Sequence, residues 1–281
     1  MASVFSFLKT TLRLHQCFIL CIVLSATAQT AAIPDVRTLL REVQEHQRKT
    51  DAIRENYTFH EIVRTDTLNG DGSVKETRSE ESEVFFVHGH RILQLLKRDG
   101  AELGERDRAK EEERVRKEID GDAKKPKATE RGRGGGRDHI VSRILAVAKT
   151  SNPRRENLRG RPSLVFDFEG DPKAKANGMD QNAAKKLAGT IWIDEADRQV
   201  ARLEVRFYDN FRIGGFLANV QKGTSMTVDQ MPLGDGLWMQ TGSEDHVAAR
   251  VVVKYLRMNV HIQDFDFKKF NVGTKQQISA P

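Results

Sequence analysis

Residues 187–207 (LAGTIWIDEADRQVARLEVRF) constrain the fold of this chain more than any other stretch. Two β-rich runs, 190–193 and 199–207, flank a short polar segment, 194–198, of the kind that closes a β-hairpin. In the second run apolar and charged residues alternate, which predicts a strand with one buried and one solvated face. Because an isolated hairpin is marginal in water, the pair must belong to a larger antiparallel sheet.

The rest of the chain supplies further strands and a few helices. Runs with strand character are found at 57–64, 80–87, 91–96, 163–169, 214–222, 225–230, 237–242 and 247–258. Helices are predicted at 35–56, where Asp35 is the cap, at 140–149, where Asn152-Pro153 stops the helix, and at 179–187. Since strands and helices do not alternate as βαβ units, the predicted class is α+β, a curved antiparallel sheet with helices on one side.

The first 28 residues have the features of a secretory signal peptide. Lys9 and Arg13 precede the apolar run 17–24, and the small residues of 25–28 follow it. Cleavage after Ala28, or alternatively after Ala32, predicts an exported, periplasmic protein. An uncleaved N-terminal anchor is the alternative interpretation.

Both cysteines, Cys17 and Cys21, lie in this segment, and neither follows a small residue as a lipid-anchor site requires. The mature chain therefore has no lipid anchor, disulfide or thiol chemistry.

Loss of the signal peptide lowers the net charge from +6 to +4. A mildly basic protein suits an anionic membrane surface or nucleic acid, and export makes nucleic acid the poorer partner.

Residues 97–138 differ in composition from the rest of the chain. Of these 42 residues, 26 are charged, and such a segment cannot bury a core of its own. A solvated helix is predicted over 105–119, and the arginine- and glycine-rich run 131–137 is predicted to be flexible. The chain is thus predicted as one domain, 29–281, that carries a charged, flexible insertion at 97–138. The run 131–137 resembles a grip for single-stranded nucleic acid, but it lacks interleaved aromatic residues.

No catalytic or cofactor motif is found, so neither an enzyme nor a cofactor is predicted. His88-Gly89-His90 is the nearest approach to a metal pair, and an ordinary loop explains it better because suitably spaced further ligands are missing. Asp264 and Asp266 would form a carboxylate pair if both faced a cleft, and the solvated face of a terminal strand is the simpler explanation.

The hairpin motif resembles that of exported outer-membrane lipoprotein-sorting proteins, relatives of the periplasmic lipoprotein carrier. The resemblance rests on residues 187–194, on Val200 to Glu204, and on Leu237-Trp238. It implies a half-open β-barrel whose concave face is covered by two or three helices and holds lipid or lipoprotein acyl chains. The lid would consist of 35–56 and 140–149. The longer chain and the insertion 97–138 depart from a typical carrier.

Two functions follow from the predicted apolar face. If the helices pack loosely, the face lines a cavity for lipid or the acyl chains of a protein, with an envelope membrane or membrane protein as a further partner. If they pack tightly, the face is core, and the chain is an envelope interaction module that uses its charged insertion. The candidate wall consists of Leu164, Phe166, Ile191, Ile193, Leu203, Val205, Phe207, Val251 and Val253.

Overall fold

The computed structural model describes residues 32–87, 89–122, 140–214, 217–234 and 236–269. The predicted signal peptide, His88 and the run 131–137 lie outside these residues. Thirteen strands are present in the described part: β1 Tyr57–Leu68, β2 Val74–Val87, β3 His90–Arg98, β4 Ala101–Glu102, β5 Ala148–Leu158, β6 Arg161–Gly170, β7 Leu187–Asp194, β8 Val200–Phe207, β9 Phe211–Ile213, β10 Ala218–Val220, β11 Ser225–Gly234, β12 Leu237–Val251 and β13 Lys254–Lys269.

The strands form one antiparallel sheet in the order β4-β3-β2-β1-β13-β12-β11-β8-β7-β6-β5. Within the described chain the two end strands, β4 and β5, do not pair with each other, so this curved sheet is not closed into a barrel. The short strand β10 pairs with β12, and β9 pairs with β10. This architecture confirms the predicted α+β class and its unclosed antiparallel sheet, with more strands than the sequence patterns indicated.

Four helices are described: α1 Val36–Arg54, α2 Glu105–Asp122, α3 Ile140–Leu145 and α4 Met179–Ala184. The Asp35 carboxylate accepts a hydrogen bond from the Thr38 backbone N–H at 3.1 Å, which confirms the predicted cap of α1. Ile53 of α1 packs on a core cluster that joins β1, β2 and β12. The cluster consists of Tyr57, Phe59, Val84, Leu237 and Met239.

Helix α2 lies along β3 near one end of the sheet. The Glu111 carboxylate accepts a hydrogen bond from the Leu95 N–H at 2.8 Å, and the Arg114 guanidinium donates to the Leu93 carbonyl. These side chains satisfy backbone groups that an edge strand would otherwise expose. Val115 of α2 is buried. The first part of the charged segment 97–138 is therefore a strand end and a packed helix, while 123–139 lie outside the described residues.

The predicted helix over 140–149 is shorter in the structure. Helix α3 ends at Leu145, and β5 begins at Ala148 and continues through Asn152 and Pro153. Proline is tolerated here because β5 is an edge strand, and its pairing with β6 shifts register between Ser151 and Arg154. The prediction that Asn152-Pro153 stops a helix is wrong for this reason.

The predicted strand over 247–258 is two strands. β12 ends at Val251 and β13 begins at Lys254, with Val252 in a left-handed conformation at φ 55°. Ala249 pairs with Leu256 and Arg250 with Tyr255, which defines a tight hairpin. The sequence prediction is wrong here because the run has no Gly, Asn, Asp or Pro, the residues that normally announce such a turn.

Candidate functional site

Six of the nine predicted wall residues form one continuous apolar patch, here called the wall. The strand register places Phe166, Ile191 and Leu203 side by side on β6, β7 and β8, and Val228 of β11 continues the row. Paired residues of antiparallel strands point to the same side of the sheet. The remaining wall residues are Leu164, Ile193 and Val205.

Gly189 is needed for close packing beside the wall. A Cβ at this position would lie 1.9 Å from the Glu204 carbonyl oxygen and 2.9 Å from the Phe168 ring. Phe168 is opposite Gly189 in the register, so its ring occupies the space that a side chain would take. The glycine of the hairpin motif therefore has a packing role.

The wall is covered in this structure. Its six side chains are 0–7% exposed. On the helical side, Leu39 and Val43 of α1 are buried, as are Val141 and Ile144 of α3, which packs on β5 and β6. The two segments that the resemblance indicated as a lid thus both bury apolar side chains, and they pack on the sheet at different places, α1 on β12 and α3 on β5 and β6.

The other three predicted wall residues are not part of the buried patch. Phe207 is half-buried at the end of β8 and stacks on Phe211, with ring centres 6.3 Å apart. Val251 and Val253 lie at the tip of the β12–β13 hairpin and are 47% and 81% exposed. Their assignment to the wall depended on the single long strand over 247–258, which the structure divides at Val252.

An ionic cluster fixes the wall's β7–β8 turn. The buried Asp194 carboxylate accepts two hydrogen bonds from the Arg161 guanidinium, at 2.5 and 3.0 Å, and two from the backbone N–H groups of Ala196 and Asp197. Arg161 also lies over the Trp238 ring, 5.4 Å from its centre, and the Trp238 indole N–H donates to Asp197 at 3.0 Å. The cluster thus joins β6, the β7–β8 turn and β12.

Burial raises the pKa of Asp194, but the Arg161 guanidinium and the two backbone donors outweigh it, so the pKa lies below its ordinary value. Asp194 and Trp238 belong to the two separate motifs that carry the family resemblance, and the structure brings them together. Sequence reasoning did not find Arg161 or Asp197. The sequence signal for this cluster was Asp194 itself, because a carboxylate at the end of an apolar strand needs a cationic partner.

Helix α1 is tied to the same end of the wall by polar contacts. Glu42 pairs with Arg198 of the β7–β8 turn at 3.2 Å, and the Arg54 guanidinium donates to the Trp238 carbonyl at 3.4 Å. Arg198 adopts φ 54°, and its Nη1 is buried without a hydrogen-bond partner in the described part of the chain. Both members of the Glu42–Arg198 pair retain solvent exposure.

An open cleft of about 390 Å³ lies on the opposite side of the sheet, over β1, β11, β12 and β13. Asp229 follows Val228, which continues the wall's row, so Asp229 points to the opposite side of the sheet. Gly242 pairs with Asp229 and with Gln263, so these positions also face away from the wall. Arg64, Glu244 and further polar residues line the cleft. Because the cleft lies on the other side of the sheet, it is distinct from the predicted site.

The remaining sequence candidates do not form a site. Asp264 is buried and paired with Glu61 in the register, whereas Asp266 has φ 55° and pairs with Lys268 at 2.7 Å. The two carboxylates therefore have different surroundings. His90 begins β3, and its predicted partner His88 lies outside the described residues. Across the described ranges, no group of three or more His, Cys, Asp or Glu residues has a geometry that would hold a metal ion.

Solved structures similar to this one include proteins of the family that the hairpin motif resembles. An outer membrane lipoprotein-sorting protein domain from Vibrio parahaemolyticus matches with 12% identity and a TM-score of 0.36, covering 86% of this chain and 96% of its own. A DUF1329 family protein from Desulfovibrio piger matches with 8% identity and a TM-score of 0.35, covering 86% and 95%. A LolA superfamily protein from Nitrosomonas europaea matches with 11% identity and a TM-score of 0.30, covering 82% and 94%.

No protein-family model and no curated protein sequence matches the chain. At these identities and TM-scores, the structural likenesses carry no conclusion about the fold or the function of this chain. The fold therefore rests on the strand order and register described above. None of the described helices has the length and apolar character needed to cross a membrane.

Proposed function

We propose that this chain is an exported, periplasmic, non-catalytic protein that binds lipid or the acyl chains of a lipoprotein against the wall, beneath α1. The observation that carries the proposal is the continuous apolar row Phe166–Ile191–Leu203–Val228, which crosses four strands of an unclosed sheet. An extended apolar strip with a removable cover suits a flexible hydrocarbon chain.

The contacts of α1 support its role as a movable cover. The Glu42–Arg198 pair is partly solvent-exposed, and such pairs contribute at most about 1 kcal/mol. The Arg54 hydrogen bond is long at 3.4 Å. Leu39 and Val43 of α1 are almost completely buried, so an acyl chain that takes their place restores similar apolar contacts.

A photoreactive fatty acid with a diazirine on its chain tests this proposal. The processed protein is irradiated with the probe, digested, and mapped by mass spectrometry. We expect cross-links in α1 and in the peptides that contain β6, β7 and β8. Cross-links confined to the polar hairpin at 69–73, or none above the level of unfolded protein, would contradict the proposal.

A matched pair of variants gives the affinity side of the test. Val205→Thr keeps the β-branched shape of the buried side chain and places a hydroxyl on the wall, whereas Arg206→Gln changes the next residue, which is exposed. We expect several-fold weaker binding of a fluorescent fatty acid by Val205→Thr and unchanged binding by Arg206→Gln. Equal affinities in two folded variants would remove the wall as the ligand site.

The near-complete burial of the wall also favours a second candidate, an envelope interaction module with a solid core that contacts partners through its charged segment. Helix α2 presents several exposed cations, such as Arg106 and Arg116, on a packed support. If this candidate is correct, substituting both arginines by glutamine abolishes capture of the partner protein, and neither the wild type nor the variant binds an acyl chain. Acyl binding with unchanged capture would exclude this candidate.

A further inference from the structure

The β12–β13 hairpin extends beyond the last residues that pair with β1 and β11. Together with β9 and β10, which pair alongside it, this extension forms an arm, defined as residues 211–213, 217–222 and 247–257. β1 pairs with β13 only as far as Met258, and β11 pairs with β12 only as far as His246. In the arm, β10 pairs with β12 and β9 with β10. The Val252 N–H donates to the Leu217 carbonyl at 2.8 Å, which joins the two hairpin tips.

The tip of the arm is apolar and exposed. Val252 is 53% exposed and Val253 is 81% exposed, beside Val251, Tyr255 and Leu217. Large apolar side chains gathered at a protruding turn are unfavourable in water and commonly mark a surface that contacts another apolar phase. Tyrosine, with an apolar ring and a polar hydroxyl, is a residue favoured at the boundary between lipid and water.

The charged residues of the arm itself all have one sign. The stretches 211–222 and 247–258 contain Arg212, Lys222, Arg250, Lys254 and Arg257 and no acidic residue, although the chain as a whole has 40 Asp and Glu residues among 281. No other described residue forms an ion pair with Arg212, Arg250 or Lys254. These cations are therefore available to an external anion.

We propose that the arm docks the protein on an anionic lipid bilayer, with the valine tip in the headgroup–acyl boundary and the flanking cations against lipid phosphates. This inference concerns a surface separate from the wall and does not depend on acyl binding there. A second copy of the chain is a poorer occupant, because two arms brought together would oppose five positive charges with five others. Apolar insertion and attraction to anionic lipid together produce stable surface binding.

Co-sedimentation with vesicles tests the proposal. The processed protein is mixed with phosphatidylcholine vesicles that contain or lack about a third of phosphatidylglycerol, and the bound fraction is measured. We expect binding to the anionic vesicles only, weakened by added salt. Each lysine or arginine near an anionic surface contributes about fivefold to partitioning, so Arg250→Gln with Lys254→Gln should weaken binding about 25-fold.

Matched variants test whether vesicle binding depends on the arm itself or only on the total charge and exposed apolar surface of the protein. Val252→Ser with Val253→Ser should lose at least tenfold in binding, whereas Met231→Ser with Leu233→Ser, at another exposed apolar site, should bind as the wild type. Lys110→Gln with Lys117→Gln on α2 removes the same charge as the arm variant and should have little effect. Equal losses in arm and control variants would overturn the proposal.

A single-thiol probe reports the depth of the tip. Cys17 and Cys21 lie in the predicted signal peptide, so processed protein with Val253→Cys carries one thiol, which is labelled with an environment-sensitive dye. We expect a blue shift with anionic vesicles, and none for a dye on Met231→Cys. No shift at Val253→Cys, or self-association that depends on the tip without vesicle binding, would overturn membrane docking. Photoreactive fatty-acid labelling of the wall in tip variants shows separately whether acyl binding survives.

Discussion

The wall and the tip of the arm are built from the same kinds of residues, yet one is buried and the other is exposed. Ile191 in the wall is 1% exposed, whereas Val253 at the tip is 81% exposed. The wall lies on β6, β7 and β8, each of which has a paired strand on both sides, and its side chains are almost completely buried. The arm extends beyond its neighbours β1 and β11. Apolar alternation therefore identifies a strand face, and the surrounding elements determine whether that face is core.

The largest effect is expected in the wall. Ile191→Ala should lower the free energy of unfolding by about 3 to 4 kcal/mol, because it removes buried methyl groups and leaves a cavity among Phe166 and Leu203. Urea denaturation followed by circular dichroism measures the change. A loss below about 1 kcal/mol would show that the wall is loosely covered and would break the contrast with the arm.

A smaller effect is expected at the ionic cluster that fixes the end of the wall. Asp194→Asn should lower the free energy of unfolding by about 2 to 3 kcal/mol at neutral pH, because Arg161 and two backbone donors lose their charged acceptor. The pKa of Asp194 is lowered in the folded protein, so its contribution is present above the ordinary value of 3.8 and is lost as pH falls through the folded pKa.

The difference in stability between wild type and Asp194→Asn should accordingly shrink as the pH is lowered from 6 towards 3. Denaturation curves at several pH values in this range provide the measurement. Asp245→Asn, a change of the same chemical kind at a strand position outside the cluster, serves as the control. A difference that stays constant with pH would show that the Asp194 charge is not what fixes the turn.

The smallest effect on stability is expected at the tip. Val253→Ser should change the free energy of unfolding by less than about 0.5 kcal/mol, because this side chain has little burial to lose. Thermal denaturation of the variant and the wild type side by side measures it. A loss comparable to that of Ile191→Ala would mean that the tip is covered in solution, for example by a second copy of the chain.

Much of the fold was predictable from local patterns. The β7–β8 hairpin, the cap of α1 at Asp35 and the helix that begins at Glu105 all follow from short-range signals, and the structure confirms them. The β12–β13 turn was not predictable, because Val252 adopts a left-handed conformation that its sequence does not favour. Nor was β5, since Pro153 in a strand is acceptable only at an edge.

The candidate wall was predictable in part for the same reason. Leu164, Phe166, Ile191 and their neighbours on β7 and β8 lie in uninterrupted strands, so alternation placed them on one face. Val251 and Val253 were wrongly assigned to the wall, because the predicted strand over 247–258 carried the alternation through the turn at Val252. Arg161 could not be connected to Trp238 in advance, since the two are far apart in the chain and three other strands separate β6 from β12 in the sheet. They meet because both side chains reach Asp197 in the β7–β8 turn.

The sequence by itself determined the class of this protein, an antiparallel sheet with amphipathic helices, because period-two alternation and helix caps are local properties. It also determined the hairpin motif and its family resemblance. Only the tertiary structure decided which apolar residues are covered, because coverage depends on strand order and on the elements packed above each face. The same dependence on neighbours buries the wall and leaves the valine tip of the arm exposed.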